Sequence, residues 1–326
     1  MDETAAWTQF WTGRAEGSEH RYRDPSLGAV IAAHWQHYFS ERFSDGGAID
    51  LIDLACGEGE VLRFAEREAV SSETLKLSAF CADIAPGAVA LAARALKTTP
   101  VAPTVADGGR LPFADAVFDC VVSQYGLEYA GPDAFSEAGR VVGKAGSFHA
   151  LVHCEGGLVE ESCSAVAELL GVVLASGLFD ALSRYATVIP QAARGEAEGA
   201  KAQACVTALR EALEGVEAAI GVASPGPARD HVARLGGDCR TLATRLGAYS
   251  PDDVVVWIAG QRADIDAFHH RMTSMIRVAQ SQDQMRDICE RLAAEGLTSA
   301  EVHTLAVPAG DKPLAWVVDA QRGAAL

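Results

Sequence analysis

Basic charge is scarce in this chain: 27 Lys and Arg stand against 44 Asp and Glu, a formal net charge of −17. Proteins that track nucleic-acid phosphates draw much of their affinity from Lys and Arg, so nucleic acid is not an expected partner, although a local basic pocket would be compatible. No two cysteines have C-x-x-C spacing. Cys56, Cys81, Cys120, Cys154, Cys163, Cys205, Cys239 and Cys289 are scattered, several of them within apolar strand-like runs. Small buried thiols are the expected reading, not a zinc site or a disulfide framework, and no metal is expected. Long apolar runs are missing as well. The most apolar stretch, roughly 165–179, carries Glu168 and is short for a membrane span, so no membrane association is expected. The opening MDETAAWTQFW is acidic and has no apolar centre, unlike a signal peptide, and a cytoplasmic location follows as an expectation. No segment is rich in Gln, Ser or Pro, and 326 residues can bury a sizeable core.

What the chain does have is organised around DLIDLACGEGE at residues 50–60. Leu51, Ile52 and Leu54 form a run long enough for a buried strand and too short for a helix. Cys56-Gly57-Glu58-Gly59 follows, and Val61, Leu62, Phe64 and Ala65 then take a helical pattern. A strand, a glycine turn and a helix can hold a nucleotide-like ligand, because backbone approaches closely and the helix start offers unpaired N–H groups. The third glycine of a dinucleotide-binding G-x-G-x-x-G is missing, since Leu62 stands there, and acidic Asp53 lies inside the strand. Strand-like runs near 51–55, 76–82, 101–105, 118–123 and 147–153 alternate with helical stretches at 60–69, 86–97 and 133–142. This alternation predicts an α/β fold with a parallel sheet and right-handed crossovers.

Asp53 with Gly57-x-Gly59 resembles motif I of class I S-adenosylmethionine-dependent methyltransferases, with Ala55 where that family usually has Gly. Three further stations fit. Cys81-Ala82-Asp83-Ile84 ends the second strand, where the resemblance implies a carboxylate that accepts both ribose hydroxyls. An N-cap for the helix starting near Pro86 is the alternative use of Asp83. Residues 105–122 then resemble the family pattern D-A-x-x-L-P-F-x-D-x-x-F-D-x-V, with Asp107 meeting the adenine amino group and Gly108 in place of the commoner Ala. Phe113 and Phe118 are expected in the core. Ser123-Gln124-Tyr125 ends the fourth strand at the position that flanks the methyl group, and DAFSEAGRVVGKAGSFHALVH at 133–153 completes the match. The resemblance implies a doubly wound, mostly parallel seven-stranded sheet and S-adenosylmethionine as cofactor. The residues it assigns to cofactor binding are Asp53, Ala55, Cys56, Gly57, Gly59, Asp83, Ile84, Asp107, Gly108, Ser123 and Gln124. The N-terminal aromatic cluster reads either as a helix packed on the sheet edge or, as the resemblance implies, as a lid whose Tyr22 or Trp11 closes over the cofactor, since aromatic faces attract a cation.

The last two strands of such a sheet appear only at 301–307 and 314–320. The expected organisation is an N-terminal helical segment at 1–45, a cofactor-binding core at 46–154, a helical insertion at 155–284 and a returning part at 285–326. The insertion reads as helices at 158–185, 197–222, 227–246 and 251–279. It is expected to cap the acceptor pocket, with a homodimer interface as the alternative.

On the acceptor side, Tyr125, Glu128, Tyr129, His149 and His153 are candidates, and His153, near a strand end, is the leading base. No N/D-P-P-Y/F follows the fourth strand and no Pro-Cys pair is present, which disfavours nucleic-acid bases; a small-molecule acceptor is expected. Two rival readings are a non-catalytic protein on the same fold and a nicotinamide-dependent oxidoreductase. Leu62 and the stretch from Asp107 to Asp119 weigh against the second.

Overall fold

The computed structural model describes residues 7–8, 10–12, 25–308 and 310–323; Tyr22 lies outside them. It opens with helical residues at 7–8 and 10–12, then α1 (Pro25–Arg42). The alternating part follows as β1 (Gly47–Leu54), α2 (Glu60–Ser71), β2 (Leu75–Asp83), α3 (Pro86–Ala92), β3 (Val101–Val105), β4 (Phe118–Gln124), a 3-10 turn (Leu127–Ala130), α4 (Asp133–Val141) and β5 (Val142–Val152). Five helices come next: α5 (Leu158–Ala175), α6 (Leu178–Ala193), α7 (Gly199–Val222), α8 (Pro227–Thr244) and α9 (Pro251–Arg277). The chain then returns through α10 (Gln282–Ala294), β6 (Glu301–Ala306) and β7 (Pro313–Gln321).

The seven strands form one sheet in the order β3-β2-β1-β4-β5-β7-β6. Six run in one direction, and β7 alone is reversed, antiparallel to both β5 and β6. β1 is an interior strand whose second half is buried on both faces, which is why Leu51, Ile52 and Leu54 cluster there. Leu51 belongs to one core with Trp35 and Phe39 of α1 and Leu62 and Ala65 of α2. Ile52 and Leu54 belong to the other, with Phe135 and Ala138 of α4 and Met285, Ile288 and Leu292 of α10. The sheet is therefore covered on both faces, as a doubly wound α/β fold requires.

Two compact units divide the chain, one of Ser162–Ser274 and one of Asp2–Glu161 with Met275–Leu326. Within the helical unit, Leu178 and Leu182 of α6, Leu209 and Val216 of α7, and Val232, Leu235 and Leu242 of α8 are buried. The Tyr185 hydroxyl donates to the Ala243 carbonyl at 3.3 Å, and Arg229 donates to the Ile220 carbonyl at 2.9 Å.

Three local expectations change. The single helix over 158–185 is two, because Gly177 at φ 70° ends α5 and starts α6. The helix expected over 86–97 stops at Ala92. Contrary to the sequence reading, α5 and α6 together contain an 18-residue window that is apolar and long enough to cross a membrane by length and composition, and 44% of that window is buried within the protein. A single Glu168 does not take such a window out of range.

Two glycines differ sharply in what they tolerate. At Gly146 on β5 an added β-carbon would lie 2.9 Å from the Phe118 carbonyl and 3.0 Å from Gly143 backbone, beside the register shift between Phe118 and Cys120. At Gly215 in α7 it would meet nothing within 4 Å. Gly146→Ala is expected to destabilise by about 1–3 kcal/mol through overpacking. Gly215→Ala is expected to stabilise by about 0.5–1 kcal/mol through helix propensity. Paired urea denaturation curves check both signs.

Candidate functional site

The carboxyl ends of β1, β2, β3 and β4 lie side by side, and the sequence-predicted residues fall there. β1 ends at Leu54, and the turn into α2 is left-handed at Ala55 (φ 52°), Gly57 (φ 51°) and Gly59 (φ 73°). Such angles suit glycine and strain alanine, so Ala55 holds a conformation that costs roughly 1–2 kcal/mol. Gly59 has a second reason to lack a side chain: a β-carbon there would stand 2.9 Å from the Ala95 methyl.

Asp83, the last residue of β2, closes the turn. Its Oδ2 accepts the Gly57 N–H at 3.0 Å and its Oδ1 accepts the Ala85 N–H at 2.9 Å. Burial pushes the Asp83 carboxyl up, and the amides of Ala85, Gly57 and Ile84 pull it partly back. Ala85, not Asp83, is the N-cap of α3, and no side chain caps it; the Asp83 carboxylate instead ties the glycine turn to the residue before that helix. Asp53 is 1% exposed, and its Oδ2 has no partner among the described residues. Burial, followed by Cys81, Asp83 and Glu60, pushes its carboxyl well above the usual range. A buried acid with an unspent oxygen beside a glycine cradle fits a ligand that carries positive charge, as S-adenosylmethionine does.

Asp107 follows β3 and is exposed; its Oδ1 accepts the Gly109 N–H at 2.9 Å. The rest of that motif is a fastening. Arg140 of α4 donates to the Phe113 and Leu111 carbonyls at 2.8 and 3.2 Å and pairs with Glu137 and Asp115, while Glu137 accepts the Leu111 N–H at 2.8 Å. Asp119 Oδ2 accepts the Asp50 N–H at 3.0 Å, tying β4 to β1. Phe118 is buried and meets Phe113 edge-on at 5.1 Å, as expected of core residues.

At the end of β4, Ser123 and Gln124 are engaged within the protein. The Ser123 hydroxyl donates to the Leu54 carbonyl at 2.9 Å, so it links two strands from a buried position. Gln124 accepts from the Trp35 indole at 2.6 Å and donates to Glu60 at 3.0 Å. Glu60, the first residue of α2, was not singled out by the sequence; its position directly after Gly59 was the available signal. Cys56 is buried and Ile84 is 42% exposed. Gly108 lies where a β-carbon would be 3.2 Å from Ala130. His149 is removed from the acceptor candidates: its two ring nitrogens contact His34 at 2.8 Å and Asp319 at 3.2 Å, and Tyr38 stacks on it at 4.0 Å.

Tyr125, Glu128, Tyr129 and His153 do cluster. The Tyr125 and Tyr129 ring centroids lie 4.6 and 5.8 Å from the His153 ring, and His153 Nδ1 is 2.6 Å from Glu128 Oε1. The N-terminal aromatic residues reach both parts of the site. Trp7 meets Tyr129 edge-on at 5.3 Å, and a β-carbon on Gly57 would stand 2.9 Å from the Trp11 ring. A ligand seated on the Gly57 turn must therefore move the Trp11 indole. Titration with S-adenosylmethionine is expected to change tryptophan fluorescence, and most of that change should vanish in Trp11→Phe. An equal change in the variant would remove Trp11 from the site.

A search of curated proteins finds no match to the chain. Among solved structures, it is similar to a chain in the Haloferax volcanii complex between a methyltransferase activator and its proposed methyltransferase, with 24% identity and a TM-score of 0.36 over 46% of this chain and 61% of that one. It is also similar to an S-adenosylmethionine-dependent methyltransferase from Mesorhizobium loti, with 21% identity and a TM-score of 0.30 over 36% of this chain and 53% of that one. A third is geranyl diphosphate C-methyltransferase from Streptomyces coelicolor, solved with S-adenosyl-L-homocysteine, with 16% identity and a TM-score of 0.36 over 48% of this chain and 66% of that one. The chain thus spans between half and two-thirds of the length of these structures. A family model described as "Methyltransferase domain" matches residues 52–150, the segment that holds the glycine turn, Asp83 and Asp107. Over residues 52–150, about a third of its length, the chain is therefore similar to a methyltransferase domain.

Proposed function

We propose that this protein transfers the methyl group of S-adenosylmethionine to a small-molecule acceptor by in-line displacement. The observation that carries the reading is the joining of two cofactor stations, the Gly57 amide bonded to the Asp83 carboxylate, beside the unspent Asp53 oxygen. In this reading the left-handed turn at Gly57 and Gly59 lets backbone approach the bound molecule, Asp83 accepts the ribose hydroxyls and Asp107 the adenine amino group. The cofactor, when bound, supplies an electrophilic methyl carbon on a cationic sulfur. The protein's share is to orient donor and acceptor in a dry site, and orientation alone contributes roughly 7–11 kcal/mol to such a reaction. The excess of acidic side chains and the Ser123-Gln124-Tyr125 sequence at the end of β4 support a small acceptor over a nucleic acid.

Calorimetric titration of the full chain with S-adenosylmethionine and, separately, with NADH tests this. Micromolar binding of the first and none of the second is expected. Failure of S-adenosylmethionine to bind would sink the reading and leave a non-catalytic scaffold.

A further inference from the structure

We propose that Glu128 and His153 form a general-base dyad, and that the acceptor is a weakly acidic, planar hydroxyl compound such as a phenol. The inference rests on the methyltransferase reading above and adds the class of acceptor to it.

Glu128 sits in the 3-10 turn after β4, and His153 is the first residue beyond β5. These strands are parallel neighbours, with Gln124 opposite Leu151, so the turn folds onto the end of β5. Glu128 Oε1 accepts the His153 backbone N–H at 2.9 Å and contacts the ring Nδ1 at 2.6 Å. An oxygen that already accepts from a backbone amide is an acceptor toward the ring as well, so the Nδ1 atom carries the proton. In the neutral imidazole Nε2 then holds the lone pair. That nitrogen has no partner among the described residues, nor has Glu128 Oε2, although the side chains are only 2% and 1% exposed.

A pair serving structure alone would not leave both remaining polar atoms unspent, because each buried unpaired group costs about 1–3 kcal/mol. Buried groups of this kind concentrate where chemistry is done. The location agrees. At Gly126, two residues before Glu128, a β-carbon would collide with the Ala55 methyl, so the turn that carries Glu128 rests on the glycine turn. Tyr125, Tyr129 and Trp7 supply aromatic walls around the imidazole, which suit a flat apolar acceptor. One of the tyrosine rings must turn aside for an acceptor to reach Nε2.

In the proposed step the acceptor oxygen gains the methyl carbon as that carbon's bond to sulfur breaks. The bonding pair leaves with sulfur, giving a neutral thioether. The hydroxyl proton passes to His153 Nε2, and the resulting imidazolium is held by the Glu128 carboxylate. Glu128 is a positioning residue, because it acts through the ring.

Two measurements test the dyad. The first records the imidazole tautomer in the full chain with isotope-labelled histidine, the His153 signals being identified by their loss in His153→Gln. A neutral ring protonated at Nδ1 is expected near neutral pH, with that tautomer less populated in Glu128→Gln. A ring protonated at Nε2, or an imidazolium, overturns the proposal. The second adds para-nitrophenol to protein saturated with S-adenosylhomocysteine and follows phenolate absorption. Wild type should hold the probe as phenolate, with the ratio of ionised to neutral probe falling about tenfold in Glu128→Gln and in His153→Gln, one unit of pKa. The affinity for S-adenosylhomocysteine should be retained in both. No bound phenolate in wild type, or equal ionisation in the variants, overturns the proposal. Failure of S-adenosylhomocysteine to bind at all counts against the methyltransferase reading instead, and the tautomer measurement, which needs no cofactor, still decides the dyad.

Discussion

Asp83→Ala is expected to weaken S-adenosylmethionine binding by about 100-fold or more while leaving the fold intact. The carboxylate stands at the end of β2 with its oxygens on the Gly57 and Ala85 amides. Hydrogen bonds to a charged group are worth about 1.5–3 kcal/mol each, and the variant loses those to the ligand as well as the brace on the turn. Two such losses correspond to about 100-fold or more in the dissociation constant. Stability should fall far less, because burial already opposes ionisation of this carboxyl. Removing a group that is costly to bury offsets part of what its hydrogen bonds contribute. Asp83→Asn keeps one acceptor oxygen and should fall between wild type and Asp83→Ala. Titration calorimetry beside thermal melts separates the two effects. Unchanged affinity in Asp83→Ala would mean that Asp83 is only a brace.

Glu66→Gln should lower stability by about 3 kcal/mol at neutral pH, with the difference narrowing in acid. Glu66 projects from α2, and its carboxylate accepts from the backbone N–H groups of Lys97, Thr98 and Thr99 and from the Thr98 hydroxyl, all at 2.7–3.0 Å. It thereby fixes the connection between α3 and β3. Burial alone would raise this carboxyl, but the donors outweigh burial and hold it below its usual value of 4.5. A carboxyl depressed in the folded state contributes stability that is fully present above the unfolded value and lost as pH falls through the folded one. The gap between wild type and variant should therefore be constant from neutral pH down toward 4.5 and shrink below it. The amide in the variant also turns a donor toward N–H groups, which is where the loss of about 3 kcal/mol arises. Urea denaturation at several pH values checks it, and a gap independent of pH would rule out the carboxylate as the cause.

The α/β alternation was legible in the sequence because strand and helix follow from local pattern. Leu51, Ile52 and Leu54 of β1 read as a short apolar run since Leu51 and Ile52 belong to cores on opposite sides of the sheet, and the spacing of most strands leaves room for a crossover helix. The glycine turn was legible for the same reason: a left-handed turn calls for Gly57 and Gly59 whatever packs around them, and a strand that ends in Asp83 places that carboxylate at the sheet's carboxyl edge. Helix ends in the insertion were less legible. Gly177 divides α5 from α6 within a continuous apolar pattern, and a pattern of period 3.6 does not register a single left-handed residue.

What only the tertiary structure decided is which polar atoms are spent. In sequence, His149 and His153 are both candidates, four residues apart, and only the nearness of His153 to a strand end favours it. Folding places His149 against His34 of α1 and Asp319 of β7, which use both of its nitrogens. It places His153 against Glu128, which uses one. Likewise Ser123 and Gln124, read as ligand contacts, are turned to Leu54, Trp35 and Glu60, and the motif around Asp115 serves to fasten a loop to Arg140. Each of these pairings joins residues that lie far apart in the chain. Local propensity acts over a few residues, whereas the satisfaction of a buried hydrogen bond depends on what the whole fold brings within 3 Å.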